Sequence, residues 1–122
     1  MYFSPTDTTK KILYKIIEQI NLPIKKEYNL TNYEYKDFSC QFNNDIILFG
    51  FPVYSGRVPK SAINRFFNIT GKNTQAIICA TFGNRNYDSA LMEIYELLQN
   101  NSFNIIGLCA IVTPHLIVKK NT

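Results

Sequence analysis

Three stretches of the chain are apolar at nearly every position: residues 46–51 (Ile-Ile-Leu-Phe-Gly-Phe), 75–80 and 104–112. Between them lie segments whose apolar residues return with the period of a helix. A strand with one wet face alternates, whereas a near-continuous apolar run suits a strand buried on both faces of a parallel sheet. Parallel neighbours cannot be joined by hairpins, so the intervening segments must cross over as helices. This confines the chain to the α/β class.

The helical segments are individually clear. Ile12, Leu13, Ile16, Ile17 and Ile20 predict a helix over residues 9–20, stopped at Leu22-Pro23. Ala62, Ile63, Phe66 and Phe67 fall on one side of a helix over 59–68, with proline in its first turn. Ala90, Leu91, Ile94, Leu97 and Leu98 make the apolar face of a helix over 88–100, leaving Glu93 and Glu96 outside. Met1, Tyr2 and Phe3 form a very short opening strand. Residues 24–30 read as a further strand and 31–42 as a short irregular helix or loop. The run at 46–51 is bounded by Asp45 and Pro52, and Pro114 ends the last strand. The order β-α-β-(α)-β-α-β-α-β argues for a doubly wound sheet with right-handed crossovers. Residues 1–122 hold apolar material for one core, a single domain, and neither repeats nor linkers interrupt it.

Composition narrows the function. With 46% apolar and 18% charged residues the chain is not of the disordered class. No apolar run reaches the roughly 18 residues of a membrane span, and lysines break up the only candidate leader segment, so a cytoplasmic protein is expected. Cys40, Cys79 and Cys109 are widely spaced, and two of them sit in apolar runs. They read as reduced core residues, and their spacing excludes an iron–sulfur centre. One histidine leaves little for zinc. The net charge of +4 comes from scattered lysines that form no stripe, which argues against nucleic acid. The Asn-, Ile- and Lys-rich composition fits an AT-rich bacterial genome.

In open parallel sheets ligands bind outside the carboxyl ends of the strands. Three segments follow strand ends here. The first holds four hydroxyls, Ser4, Thr6, Thr8 and Thr9, with Asp7 among them, and opens a helix. That suits a phosphate, and equally an ordinary helix cap. It has neither the glycines nor the lysine of a Walker loop, and no dinucleotide fingerprint. The second, Pro52-Val53-Tyr54-Ser55-Gly56-Arg57-Val58-Pro59, sets an aromatic ring and a permissive glycine between two prolines, fit to hold a flat ring or merely to turn from strand to helix. The third, Thr81-Phe82-Gly83-Asn84-Arg85-Asn86-Tyr87, offers backbone and amide contacts and a second ring, or a helix entry. No nucleophile or general base stands out. A phosphate-accepting signalling receiver would need acidic residues at the ends of the first and third strands; here Phe3-Ser4 ends the first, and Asp45 opens the third.

Taken together, residues 2–10, 49–59 and 80–91 resemble the flavodoxin family, and in particular the branch in which such a domain is fused to a C-terminal ferredoxin, absent here. The resemblance implies a five-stranded sheet of order 2-1-3-4-5 with a short first strand and no final helix. It implies FMN as cofactor, with Ser4, Thr6, Asp7, Thr8 and Thr9 around the phosphate and Tyr54 and Tyr87 flanking the ring. Pro52, Val53, Ser55, Gly56 and Arg57 would line one side of it, and Thr81, Phe82, Gly83, Asn84, Arg85 and Asn86 the other. The chain would carry electrons between redox partner proteins in trans; the alternative is a flavodoxin-like interaction module that no longer binds FMN.

The sequence departs from the family pattern in three ways. Asp7 stands where the phosphate loop has glycine, putting a side chain at a left-handed position and a carboxylate before a phosphate. Arg57 and Arg85 place cations where the family is acidic, which would make the reduction potential less negative. Without a last helix the sheet would expose an apolar patch, with homodimerisation as one outcome and His115 at that surface.

Overall fold

A computed structural model describes residues 1–21, 23–24, 26–83 and 88–112. The helix-periodic segments form α1 (Thr8–Ile20), α2 (Lys60–Phe67) and α3 (Asp88–Asn100). The strands are β1 (Cys40–Asn43), β2 (Ile46–Val53), β3 (Ile69–Lys72), β4 (Thr74–Phe82) and β5 (Phe103–Val112). A three-stranded parallel sheet runs β2-β4-β5, and β1 pairs in parallel with β3 in a second sheet. The chain is an α/β protein, as the apolar runs require.

The opening residues add to the β2 side of the larger sheet. Tyr2 is bridged in parallel to Asn29 and to Gly50. The Tyr2 amide donates to the Tyr28 carbonyl at 3.0 Å, and the Leu30 amide donates to the Tyr2 carbonyl at 2.9 Å. On the other side the Phe3 amide donates to the Gly50 carbonyl at 3.0 Å, and the Gly50 amide to the Met1 carbonyl at 2.9 Å. The strand expected over 24–30 therefore contracts to a short pairing around Asn29.

Alternation along β2 and β4 sorts the two faces. Ile47, Phe49 and Phe51 with Ala76, Ile78 and Ala80 meet Ala62 and Phe66 of α2 and Ala90, Ile94 and Leu98 of α3 in the main core. Leu48 and Cys79 point the other way, to Leu13 and Ile16 of α1. Burying each large side chain of this core is worth about 1.5–3 kcal/mol. Phe49 adds edge-on ring contacts with Phe66 at 5.5 Å and Phe103 at 5.2 Å. Gly50 faces α1, and a Cβ there would lie 2.9 Å from Leu13 Cγ, so the missing side chain sets how closely the helix approaches the sheet.

Several expectations are corrected. β2 continues through Pro52 to Val53 instead of ending before the proline. The Gly50 amide and carbonyl both face the opening segment, and Pro52, two residues on, faces the same side, past that ladder's last bond. Its missing N–H therefore leaves the β2–β4 pairing intact. Residues 31–42, expected as irregular, contain one 3-10 turn (Tyr33–Tyr35) and the start of β1, which with β3 forms a sheet that the apolar runs did not signal. On α2 the buried face is Ala62, Arg65 and Phe66, while Phe67 is 64% exposed. The expected end of the last strand at Pro114, the missing final helix and His115 lie outside the described residues.

Candidate functional site

Among the described residues the strands pair in parallel, so the segments after the opening strand, β2 and β4 lie along one edge. The first of these segments is a closed turn. The Asp7 amide donates to the Ser4 carbonyl at 3.3 Å, and the Lys11 amide to the Asp7 carbonyl at 3.1 Å. Asp7 takes left-handed backbone angles, φ 65° and ψ -4°, at the N-cap position of α1, and its side chain makes no capping bond. The side-chain cap comes from Ser4, whose Oγ accepts the Lys10 amide at 3.1 Å. The Ser4 amide itself donates to Thr31 Oγ1 at 2.9 Å.

The four hydroxyls divide into two pairs. Ser4 and Thr9 are buried, and Thr9 Oγ1 shares a 2.8 Å hydrogen bond with Thr81 Oγ1, which ties α1 to the end of β4. Thr6 and Thr8 lie on the outer side, 3.3 Å apart between hydroxyl oxygens. Among the described residues, no acceptor is bonded to the amides of Thr8 and Thr9, the free donors that a helix N-terminus always presents.

After β2 the chain makes a two-residue turn. Tyr54 and Arg57 exchange both backbone bonds, at 2.9 and 3.0 Å, and the residues between them, Ser55 (φ 51°) and Gly56 (φ 78°), are both left-handed. Pro52 and Val53 are buried inside β2, so only the turn itself projects. Its Tyr54 ring is 48% exposed, and Arg57 is exposed. A cleft of about 390 Å3 lies between this turn and the first turns of α3, lined by Ser55, Gly56, Arg57, Ser89, Ala90 and Glu93. Its size falls in the range of small-molecule sites. After β4, Thr81 is buried, Phe82 packs against the main core, and a Cβ on Gly83 would meet nothing within 4 Å. Asn84, Arg85, Asn86 and Tyr87 lie outside the described residues.

Two clusters of titratable groups lie on the α1 face of the sheet. The Glu27 carboxylate accepts hydrogen bonds from the hydroxyls of Tyr14 and Tyr2, which hold it below the usual carboxylate range. Burial and the Glu27 bond push the Tyr2 hydroxyl well above its ordinary value. Burial, and then the neighbouring Cys109 thiol, push up Cys79, which is a free and inert core thiol. Among the described residues no group of three or more His, Cys, Asp or Glu could hold a metal ion, and no helix is long and apolar enough to cross a membrane. Sequence reasoning missed Thr31, whose hydroxyl accepts the Ser4 amide, and Arg65, buried against the carbonyls on either side of Thr31. The only available signal was a hydroxyl in a loop and an arginine next to a buried phenylalanine.

Parallel strands with helices on both faces define an open α/β fold, with a cleft beyond the strand ends. No family model matches the chain, and no curated protein matches its sequence. In structure it is similar to the flavodoxin of Fusobacterium nucleatum, solved bound to flavin mononucleotide, with a TM-score of 0.62 and 15% identity over 86% of this chain. The chain spans 65% of that flavodoxin's length. The likeness shows a flavodoxin-like fold.

Proposed function

We propose that this chain is a small electron-transfer protein that holds FMN across the carboxyl ends of its parallel strands. The observation that carries the reading is the convergence, on one edge of a flavodoxin-like fold, of the left-handed turn at Asp7, the free amides of α1 and the Tyr54–Arg57 turn beside a cleft. The two parallel bridges of Tyr2 support the strand order 2-1-3-4-5, with the residues around Asn29 as the second strand.

The residues present fit the cofactor. The amides of Thr8 and Thr9 and the hydroxyls of Thr6 and Thr8 take the phosphate at the positive end of α1. Tyr54, half exposed on its turn, would cover one face of the ring. Gly56, left-handed and without a side chain, lets the turn approach the ring edge. The open space at Gly83 leaves the end of β4 accessible to the pyrimidine side. FMN, when bound, supplies one- and two-electron transfer; the chain binds it, orients it and tunes it. The cation at Arg57 favours added negative charge nearby and so shifts the potential upward. Donor and acceptor are proteins acting in trans.

A second reading, an interaction module without flavin, draws on Asp7. Its exposed carboxylate stands before the phosphate position, and Ser4 and Thr9 already spend their hydroxyls on internal bonds. Titrating the purified protein with FMN and with riboflavin, read by visible absorbance and flavin fluorescence, separates the two. Saturable binding of FMN, tighter than riboflavin by about tenfold, one phosphate's worth of contacts, is expected. No spectral change with either flavin would leave the module reading in its place.

A further inference from the structure

Arg65 is an arginine almost wholly withdrawn from water, 5% exposed, on the buried face of α2. The acceptors it finds are all backbone carbonyls. Nε donates to Leu30 at 3.2 Å, Nη2 to Asn32 at 3.2 Å and Nη1 to Ser61 at 3.3 Å, while the guanidinium lies 5.9 Å from the centre of the Phe3 ring. Burying a cation against neutral carbonyls carries a desolvation penalty that its hydrogen bonds must offset, and the planar fork lets one arginine bond several carbonyls at once. What it fixes is the pair of carbonyls on either side of Thr31.

Thr31 is itself locked. Its amide and its hydroxyl both donate to Asn29 Oδ1, at 3.1 and 2.5 Å, which leaves a lone pair of Oγ1 to accept the Ser4 amide at 2.9 Å. Ser4 in turn caps α1 through Lys10. An unbroken series of bonds therefore runs from α2 through residues 30–32 to the first turn of α1.

We infer that Arg65 is a positioning residue for the phosphate loop: by clamping the carbonyls of Leu30 and Asn32 it sets Thr31, and Thr31 sets Ser4 and the amides that begin α1. The ligand in this statement rests on the FMN reading; the clamp does not. Lysine cannot replace it, because a single ammonium group lacks the planar fork that reaches both carbonyls.

The test compares affinities for FMN and for riboflavin, which lacks the phosphate, in the parent protein, Arg65→Lys, Thr31→Val and the double variant. The clamp predicts that each single variant loses about tenfold in FMN affinity, the worth of one charge-assisted hydrogen bond, and keeps its riboflavin affinity. The double variant loses no more than either single one, because both break the same series. FMN and riboflavin affinities falling together, an unchanged FMN affinity, or losses that add, would each overturn it. Amide hydrogen exchange decides the clamp without a flavin: in Arg65→Lys the Ser4 amide should exchange about tenfold faster while Ile78 in β4 is unchanged. Uniformly faster exchange, or none, overturns the clamp. Failure of the parent to bind either flavin counts against the FMN reading alone, and the exchange result then stands by itself.

Discussion

Asp7 holds two liabilities for a phosphate site in one residue: a left-handed backbone and an exposed negative charge that competes for the positive end of α1. The backbone angle was legible, because the loop motif calls for glycine there, and aspartate tolerates that region better than most residues. Asp7→Gly and Asp7→Asn separate the two liabilities. Both remove the charge, and each should tighten FMN by about fivefold, the worth of one close like-charge contact in water. A gain for glycine alone would assign the effect to the backbone, and equal affinities across all three proteins, by fluorescence titration, would dismiss it. Neighbouring residues were less legible. Gly56 announced a turn, but nothing announced that Ser55 beside it would also be left-handed. The burial of Arg65 was not legible at all, because charged residues almost never lose their water without a partner, and the carbonyls of Leu30 and Asn32, 35 and 33 positions away, leave no trace in a local pattern.

Among the elements, α1 has the tightest seat. Leu13 occupies the space where Gly50 lacks a side chain, and Gly50 is also the residue through which β2 pairs with the opening segment. Gly50→Ala should therefore destabilise the fold by about 1–3 kcal/mol through overpacking, measured by urea unfolding. Combined with Leu13→Ala, which empties that space, the loss should be clearly smaller than the sum of the two single losses. Strict additivity would show that the helix can shift freely. β2, β4 and the helices were legible because a strand buried on both faces and a helix with one apolar stripe each leave a strong mark; β5 carries the same apolar run, yet it leaves Ile106, Leu108 and Val112 about half exposed, against the expectation of two buried faces. β1 and β3 were not legible: four residues each, they pair across the intervening β2 and α2, and only a faint alternation records it. The edge on which the site is proposed follows from the fold class alone, since parallel strands place their ends together; the inward turn of Ser4 and Thr9 depends on partners at Thr31, Lys10 and Thr81 that only the folded chain brings close.

For the molecule as a whole, the Glu27 cluster joins α1, the opening segment and the strand around Asn29, and it gives stability a dependence on pH with a definite sign. The Glu27 carboxyl is held below its ordinary value of 4.5 by Tyr14 and Tyr2, with Lys10 and the Met1 amine assisting, so its contribution is present above that pH and is lost as the pH falls. The Tyr2 hydroxyl is raised above 10.0, so its contribution is present below that pH and fades as the pH rises beyond it. Burial lowers the Met1 amine from 8.0 to about 5, so thermal unfolding should already show stability declining as the pH falls below 8.0, with a further decline below 4.5 that Glu27→Gln should flatten. An acid limb of unchanged slope in that variant would place the titrating group elsewhere.

The central place of the opening residues also bears on how the chain is made. Met1 and Leu48 are joined by a hydrogen bond from the Met1 amine at 2.9 Å, across 47 positions of sequence, and Tyr2 and Phe3 wait on the same strand. A ribosome adding about 5–20 residues per second delivers that partner some seconds after Tyr2 and Phe3 have been joined. The segment that ends among the most enclosed parts of the sheet is thus synthesised ahead of β2 and has no strand to receive it until β2 follows.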